Sequence, residues 1–275
     1  MICQLPSLHD LSVVVEGDIS LPPAVLPNLA NLKIQHDGGN GWLQMFRGAT
    51  LEKLESITFH SGPIQTGDFL ETFGRAALPI SVQNTLSKFY LYASHSWNPN
   101  YSNLLPFTQL THLRVEYPCD AICISTVDDE VVTNLARAMP RLKTLQLGDS
   151  PCSKIPTGVT VKGFMVLAHH CPDLSTLRIH FQVASLCAPP VDAGVAPDPD
   201  PTVTRRECAL KCLDVGYTIV SEESAPVVAL TLVRIFPHVQ LTGCEDEDWD
   251  QVADAIHLSR LIVDHSSKEH LLVTH

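Results

Sequence analysis

Apolar residues recur along the chain in the pattern L-x-x-L-x-L, with other apolar residues in place of some leucines. Eight full copies are Leu8-Leu11-Val13, Leu29-Leu32-Ile34, Leu54-Ile57-Phe59, Leu86-Phe89-Leu91, Leu110-Leu113-Val115, Leu142-Leu145-Leu147, Leu174-Leu177-Ile179 and Leu210-Leu213-Val215. A shortened copy, FPHVQL, follows at 236–241. The alternation inside each copy has the period of a strand with one buried face. We therefore predict a short strand in each copy, with its apolar side chains in the core.

The segments between the copies vary in length, and the longer ones have the spacing of a helix. Successive full copies begin 21, 25, 32, 24, 32, 32 and 36 residues apart. In DDEVVTNLARAMP, an apolar residue recurs every fourth position at Val131, Leu135 and Met139, behind Asp128 and Asp129 as N-terminal caps. Three more predicted helices lie in GVTVKGFMVLAHHCP, SAPVVALTLVRIFP and EDEDWDQVADAI, the first with Phe164, Leu167, Ala168 and Cys171 on one face. Prolines at or beside their ends predict where most of these helices stop.

Units of one strand and one helix cannot cover their own apolar faces, so such units must stack in series. The sequence therefore predicts an α/β leucine-rich-repeat solenoid over residues 1–275, as a single domain. It would be an arc similar to ribonuclease inhibitor, with parallel strands on the concave face and helices on the convex face. Residues 187–206, rich in Pro, Asp, Ala and Val without periodicity, predict a disordered loop insertion. This loop is either a flexible lid or tether, or a tolerated insertion. In the irregular segment 93–106 we expect Trp97 and Tyr101 to pack on the rim of the arc.

The composition limits which classes of partner and which cellular compartment are expected. A net charge of −12 and a pI near 5.4 disfavour non-specific binding to nucleic acid or to an anionic membrane. No apolar run approaches the ~20 residues that cross a bilayer, and the first residues lack the features of a secretory signal. Nine scattered cysteines, an odd number, then indicate free thiols in a reducing compartment. We expect the protein in the cytoplasm, the nucleus or both.

The mixed repeat lengths, with a proline two residues before the first repeat leucine in MPRLKTLQL and CPDLSTLRI, resemble the repeat region of F-box/leucine-rich-repeat proteins, especially fungal ones. The resemblance implies a substrate-binding module of a ubiquitin ligase, in which an F-box binds the Skp1 adaptor of a cullin complex and the repeats bind the substrate. No F-box is found, because the chain opens inside a repeat at LPSLHDLSVVV. The first repeat also lacks a polar capping unit, which favours a lost N-terminal segment. The alternative is a free-standing scaffold or inhibitor that binds a partner without ubiquitination.

The strand pattern also predicts which side chains face outward, where a partner would bind. The predicted partner-binding residues are Lys33, His60, Lys88, Tyr90, Tyr92, His112, Arg114, Glu116, Arg178 and His180. Tyrosine and arginine are typical of binding hot spots, and basic residues outnumber acidic ones among them. We expect a protein partner with an acidic or phosphorylated segment, bound by Arg114 and Arg178 with help from the tyrosines. The alternative is an ordinary polar strand surface without a partner.

Catalytic, metal and cofactor sites are not predicted. His169-His170-Cys171 and the pairs Cys119/Cys123 and Cys208/Cys212 fall in separate repeats, so we interpret Cys171 as a core residue rather than a zinc ligand. The acidic residues at 245–250 lack a calcium-loop pattern and are better explained as charge at a helix N-terminus. The glycines at 38–41 are not followed by the Lys-Ser/Thr of a phosphate-binding loop and are interpreted as a turn. An enzyme with a Cys/His nucleophile would need a pocket that a solenoid does not offer by default.

Overall fold

In the computed structural model, the chain is built around one β-sheet. The structure describes residues 7–16, 25–37, 46, 50–62, 70, 73, 80–93, 99–117, 127–148, 158–187, 207–215, 218–243 and 247–272. Within these ranges nine strands pair in chain order, every pair parallel. They are β1 (Asp10–Val15), β2 (Asn31–His36), β3 (Ser56–Ser61), β4 (Lys88–Ala93), β5 (His112–Glu116), β6 (Thr144–Leu147), β7 (Thr176–Ile179), β8 (Cys212–Asp214) and β9 (Gln240–Thr242). The predicted α/β class with a parallel sheet is confirmed.

Helices connect the strands and pack against one another along the sheet. In the described ranges they are α1 (Ile80–Thr85), a 3₁₀ turn (Tyr101–Leu104), α2 (Asp129–Ala138), α3 (Val161–His170), α4 (Val183–Cys187), α5 (Ala225–Ile235) and α6 (Glu247–Leu272). Contacts run from α2 to α3, from α3 and α4 to α5, and from α5 to α6. From α2 onward each helix thus packs against at least one other helix, as expected when repeated units stack in series.

The two faces of the sheet differ in burial, as the alternation predicted. Leucine, isoleucine or phenylalanine at matching positions of β2 to β8 forms a row of buried neighbours, at Leu32, Ile57, Phe89, Leu113, Leu145, Leu177 and Leu213. The residues between them remain partly or fully exposed for most of the sheet. In β1 the corresponding Leu11 and Val13 are only half-buried. The register therefore sends most polar side chains of the nine strands to one face. His36 and Ser61, the last residues of β2 and β3, are exceptions and are buried on the core side.

A recurring turn explains the prolines of the sequence pattern. A buried residue closes the preceding segment, and its carbonyl accepts a hydrogen bond from the N–H of the repeat leucine or valine three residues later. The pairs are Leu26/Leu29, Phe107/Leu110, Met139/Leu142, Cys171/Leu174 and Phe236/Val239. Proline follows the buried residue in all of these except the Phe107 turn. Proline suits this position because it has no N–H to leave unpaired and cannot continue a helix.

A ladder of backbone hydrogen bonds joins each unit to the next at the start of the strands. The carbonyl of the residue before a strand accepts from two consecutive N–H groups of the following unit. Thr111 O, for example, accepts from Lys143 N at 2.7 Å and Thr144 N at 3.1 Å. The same arrangement holds for the carbonyls of His9, Ala30, Glu55, Ser87, Lys143 and Ser175. Each unit therefore satisfies polar groups that its predecessor would leave unpaired.

Several predictions about individual elements need correction or refinement. Helix α2 buries Val132, Leu135 and Ala136, whereas Val131 is only half-buried. The buried face of the helix is therefore rotated slightly from the face that the four-residue spacing predicted. Tyr101 lies in the core rather than on the rim. Cys187 ends a short helix instead of opening a loop. The rest of the predicted insertion lies outside the described residues, as do Trp97, the glycines at 38–41 and the pair Cys119/Cys123.

Helix α6 is 26 residues long, longer than its sequence pattern indicated, and it packs on α5. Its Trp249 is fully buried, and the indole N–H donates to Thr218 O. Arg260 donates to Pro237 O at 3.0 Å and also to Val239 O, in the turn before β9. These two carbonyls are equivalent to those of Pro172 and Leu174, which accept from Ala209 N–H and the Cys208 thiol of the following unit. Arg260 therefore supplies the hydrogen-bond donors that earlier in the sheet come from the following repeat. Among the described residues, no helix is long and apolar enough to cross a membrane.

Candidate functional site

The outward face of the sheet carries three rows of cross-strand neighbours, with adjacent strands about 4.8 Å apart. The middle row is Ser12, Lys33, Thr58, Tyr90, Arg114, Gln146, Arg178, Asp214 and Thr242. The row toward the strand starts contains Lys88 beside His112, and the row toward the strand ends contains His60, Tyr92 and Glu116. His180 lies just beyond β7, near Gly148. All ten predicted partner-binding residues therefore lie on or beside one face.

Tyr92 is the centre of a stacked cluster on this face. Its ring lies parallel to that of His60, with centroids 4.8 Å apart and an interplanar angle of 12°. The guanidinium carbon of Arg114 lies 5.3 Å from the Tyr92 centroid, in range for a cation–π contact. Arg114 in turn forms an ion pair with Glu116. Side chains from β3, β4 and β5 are thus held together before any partner binds, which lowers the entropic cost of binding through them.

Glu116 was predicted to face solvent, but its side chain is buried. It is 8% exposed, and Arg114 covers its carboxylate. A buried carboxylate needs a charged or hydrogen-bonding partner, and Arg114, two residues along the same face, supplies it. Glu116 therefore holds Arg114 in place.

The second arginine is also neutralised within the face. Arg178 Nε lies 3.4 Å from Asp214 Oδ2 on the neighbouring strand. Arg114 and Arg178 flank Gln146 in the middle row, so their backbones are about 10 Å apart. Both arginines were predicted to be available cations, but each already contacts a carboxylate. The register itself could have shown Asp214 beside Arg178.

Positive charge without a carboxylate partner among the described residues lies on earlier strands of the sheet, β2 and β4. Lys33 and Lys88 are exposed and form no ion pair among the described residues. Burial and then Lys33 lower the pKa of His60. Burial, followed by Lys88 and Lys143, lowers the pKa of His112. Burial and then Tyr92 raise the pKa of Tyr90, against an opposing effect of Arg114. The histidines are therefore mostly neutral at pH 7, and an anion placed beside them would favour their charged forms.

An open groove of about 480 Å³ crosses the ends of β1 to β4. Its lining combines Val14, which is 63% exposed, with His60 and Tyr92 of the stacked cluster. Glu16 and Asp37 give it an acidic rim. These two carboxylates could not be predicted to lie here, because each follows the last residue of a strand, where alternation no longer specifies direction.

The two cysteines that could suggest metal or nucleophile chemistry, Cys171 and Cys208, belong to the core, whereas His169, close to Cys171 in the sequence, is exposed. Burial, with a further contribution from Cys208, raises the pKa of the Cys171 thiol to about 12. Cys171 donates to Ala136 O and Met139 O, and Cys208 donates to Cys171 O and Leu174 O. These thiols stay protonated at neutral pH, which disfavours nucleophilic attack and metal binding. Among the described residues, no three His, Cys, Asp or Glu side chains are placed to hold a metal ion.

Sequence comparison with known proteins does not assign the chain to a family. No protein-family model matches the chain, and no curated protein matches it in sequence. The site must therefore be interpreted from its own geometry.

Proposed function

We propose that the chain is a leucine-rich-repeat solenoid that binds a protein partner on the outward face of its sheet. The observation that carries this proposal is the preformed cluster of His60, Tyr92 and Arg114, which joins three consecutive strands. Aromatic and arginine side chains held in fixed positions are typical of binding hot spots. The face also places polar side chains from nine strands within one continuous surface. A surface of this kind suits an extended or folded protein segment better than a small molecule.

The resemblance of the repeats to F-box/leucine-rich-repeat proteins supports a more specific proposal. In it, the face binds the substrate of a Skp1–cullin ubiquitin ligase, and an F-box encoded upstream would bind Skp1. The alternative is a free-standing scaffold or inhibitor with the same binding face. The parallel sheet with its helical layer supports both equally, since it concerns only the repeats.

Affinity capture followed by mass spectrometry tests both levels of the proposal. The chain would be used alone and with any coding sequence upstream of Met1. We expect one or more protein partners to be captured by both forms. Skp1 and cullin in the longer form support the ligase adaptor, whereas partners without Skp1 or cullin support the scaffold.

Charge reversals test whether the sheet face performs the binding. We expect Arg114→Glu with Arg178→Glu to reduce capture at least tenfold, because the double change repels Glu116 and Asp214 and disrupts the stacked cluster. Arg137→Glu with Arg234→Glu is the matched control, since both residues are exposed in the last turns of α2 and α5. Exchanging Arg178 and Asp214 keeps their ion pair and guards against a simple folding defect. Unchanged capture by the sheet-face variants would show that binding uses another surface.

A further inference from the structure

A cluster of three basic side chains lies at the strand starts, on the side of the face away from the groove. Lys88 and His112 are cross-strand neighbours on β4 and β5. Lys143 immediately precedes β6, and its N–H donates to Thr111 O, the residue before His112. Both lysines are exposed, and His112 is half-buried between their strands. In a chain with a net charge of −12, such a cluster has a local charge opposite to that of the whole.

The hydrogen bonds of Thr111 assign the proton on the His112 ring. The Thr111 hydroxyl donates its single proton to Ser87 O at 3.0 Å. It lies 2.8 Å from His112 Nδ1, so it must accept there, and Nδ1 carries the ring proton. In the neutral ring Nε2 is therefore the unprotonated nitrogen. A second proton can be taken up at Nε2 without loss of the bond that orients the ring.

Among the described residues, no carboxylate forms an ion pair with Lys88, His112 or Lys143. Burial lowers the pKa of His112, and the positive charges of Lys88 and Lys143 lower it further. On the strands packed against it, Glu55 precedes β3 and forms no ion pair with these residues, while Glu116 is bound to Arg114. A dianion bound among the three groups would meet two ammonium groups and would stabilise a third positive charge at Nε2.

We propose that Lys88, His112 and Lys143 form a subsite for a phosphorylated serine or threonine of the protein partner. The inference rests on the proposed function of the sheet face and names the chemistry that the face recognises. In it, the anion is bound by these three residues and not by Arg114 and Arg178, which already form ion pairs with Glu116 and Asp214. Binding of the phosphoryl group and uptake of one proton by His112 occur together.

A blocked Gly-phosphoserine-Gly peptide tests the subsite without knowledge of the partner. The titration of each histidine ring would be followed by NMR with and without the peptide, at constant ionic strength. We expect the phosphopeptide to raise the pKa of His112 by about one pH unit and the unphosphorylated peptide to leave it unchanged. Lys88→Gln and Lys143→Gln should each weaken binding about tenfold, since each removes one charge-assisted hydrogen bond. Lys53→Gln, at an exposed lysine that donates to Asn28, is the matched control.

The possible outcomes separate this inference from the proposed function. If the phosphopeptide leaves the titration of His112 unchanged while the arginine reversals abolish partner capture, the phosphate subsite is wrong and the binding face stands. If the phosphopeptide binds but the reversals do not alter capture, the subsite stands and the proposed binding face is wrong. A single-stranded RNA oligonucleotide that binds through the same lysines more tightly than the phosphopeptide would overturn the assignment to a phosphorylated protein.

Discussion

Asp129, in the first turn of α2, caps the next helix of the chain, whose N-cap residue is Thr160. One carboxylate oxygen accepts from Thr160 N–H at 2.8 Å and from Gly163 N–H at 3.0 Å, and the other accepts from the Thr160 hydroxyl at 2.6 Å. Its own helix is capped by the neighbouring Asp128, which accepts from Val131 N–H at 2.8 Å. One carboxylate thus satisfies the N-cap residue of α3 and one N–H of its first turn, and it fixes the position of one repeated unit on the next.

Loss of the Asp129 carboxylate is predicted to destabilise the protein more than loss of an ordinary cap. We expect Asp129→Ala to lower the free energy of unfolding by about 2–3 kcal/mol, because donors of a half-buried helix end lose a charged acceptor. Asp128→Ala removes a single cap bond and should cost about 1 kcal/mol. Urea unfolding followed by circular dichroism compares the two. An equal effect of both substitutions would show that the link between α2 and α3 adds no stability.

The Arg260 side chain is predicted to stabilise the last unit of the sheet. In Arg260→Met the carbonyls of Pro237 and Val239 lose their donor, so we expect a loss of about 1–3 kcal/mol in the free energy of unfolding. Arg234→Met provides the control, because Arg234 is exposed on α5 and a surface substitution should change stability by under about 0.5 kcal/mol. Thermal unfolding measures both. The role assigned to Arg260 is wrong if the two variants unfold at the same temperature.

The strands and their outward faces could be predicted because alternation in L-x-x-L-x-L leaves one arrangement that buries the apolar residues. The same rule placed Lys33, Tyr90 and Arg178 on one surface. It could not reveal that Asp129 caps α3, since that contact depends on how two helices align across connecting segments. Lys143 was overlooked for a related reason, as it lies before a strand, where the pattern does not specify direction.

Charge pairing was the weaker part of the site prediction. The arginines were predicted to be cations available to a partner. However, Glu116 lies two residues after Arg114 on the same face of β5, and Asp214 is the cross-strand neighbour of Arg178. For Arg178, the sequence of one strand alone does not show which charge on the next strand cancels its own. Cross-strand neighbours have to be considered together.

The cysteines are predicted to differ sharply in reactivity. Cys171 and Cys208 are buried, and burial raises the pKa of both thiols, so neither should react with a thiol reagent in the folded protein. Among the described cysteines, Cys187 and Cys212 are only half-buried and should be modified before Cys171 and Cys208. Timed alkylation at pH 8, with the modified peptides identified by mass spectrometry, checks the order. Modification of Cys171 before the chain unfolds would contradict the packing of its thiol against Ala136 and Met139.

Stability is predicted to fall with acidification before most carboxylates titrate. Burial lowers the pKa values of His36, His60, His112 and His170 below the ordinary 6.5. The unfolded chain then binds more protons than the folded one, so this contribution is complete above 6.5 and is lost as the pH falls through the folded pKa values.

Urea unfolding at about pH 8 and about pH 5.5 measures this loss. We expect Lys88→Gln to reduce it, because the substitution removes a charge that holds the pKa of His112 down. His112→Gln should reduce it as well, by removing the titrating group. The electrostatic account of His112 fails if the two variants lose as much stability between these pH values as the unaltered chain.

Helix α6 packs at the β9 end of the sheet, where a further repeat would otherwise stack. Because the strands are parallel and stacked in chain order, the last unit of one molecule is a geometric match for the first unit of another. A sheet left open at β9 could therefore add whole molecules end to end, without a symmetry that closes, and grow into filaments. Arg260 occupies the carbonyls of Pro237 and Val239, which such a contact would use. Helix α6 therefore disfavours the addition of a second molecule at this end of the sheet.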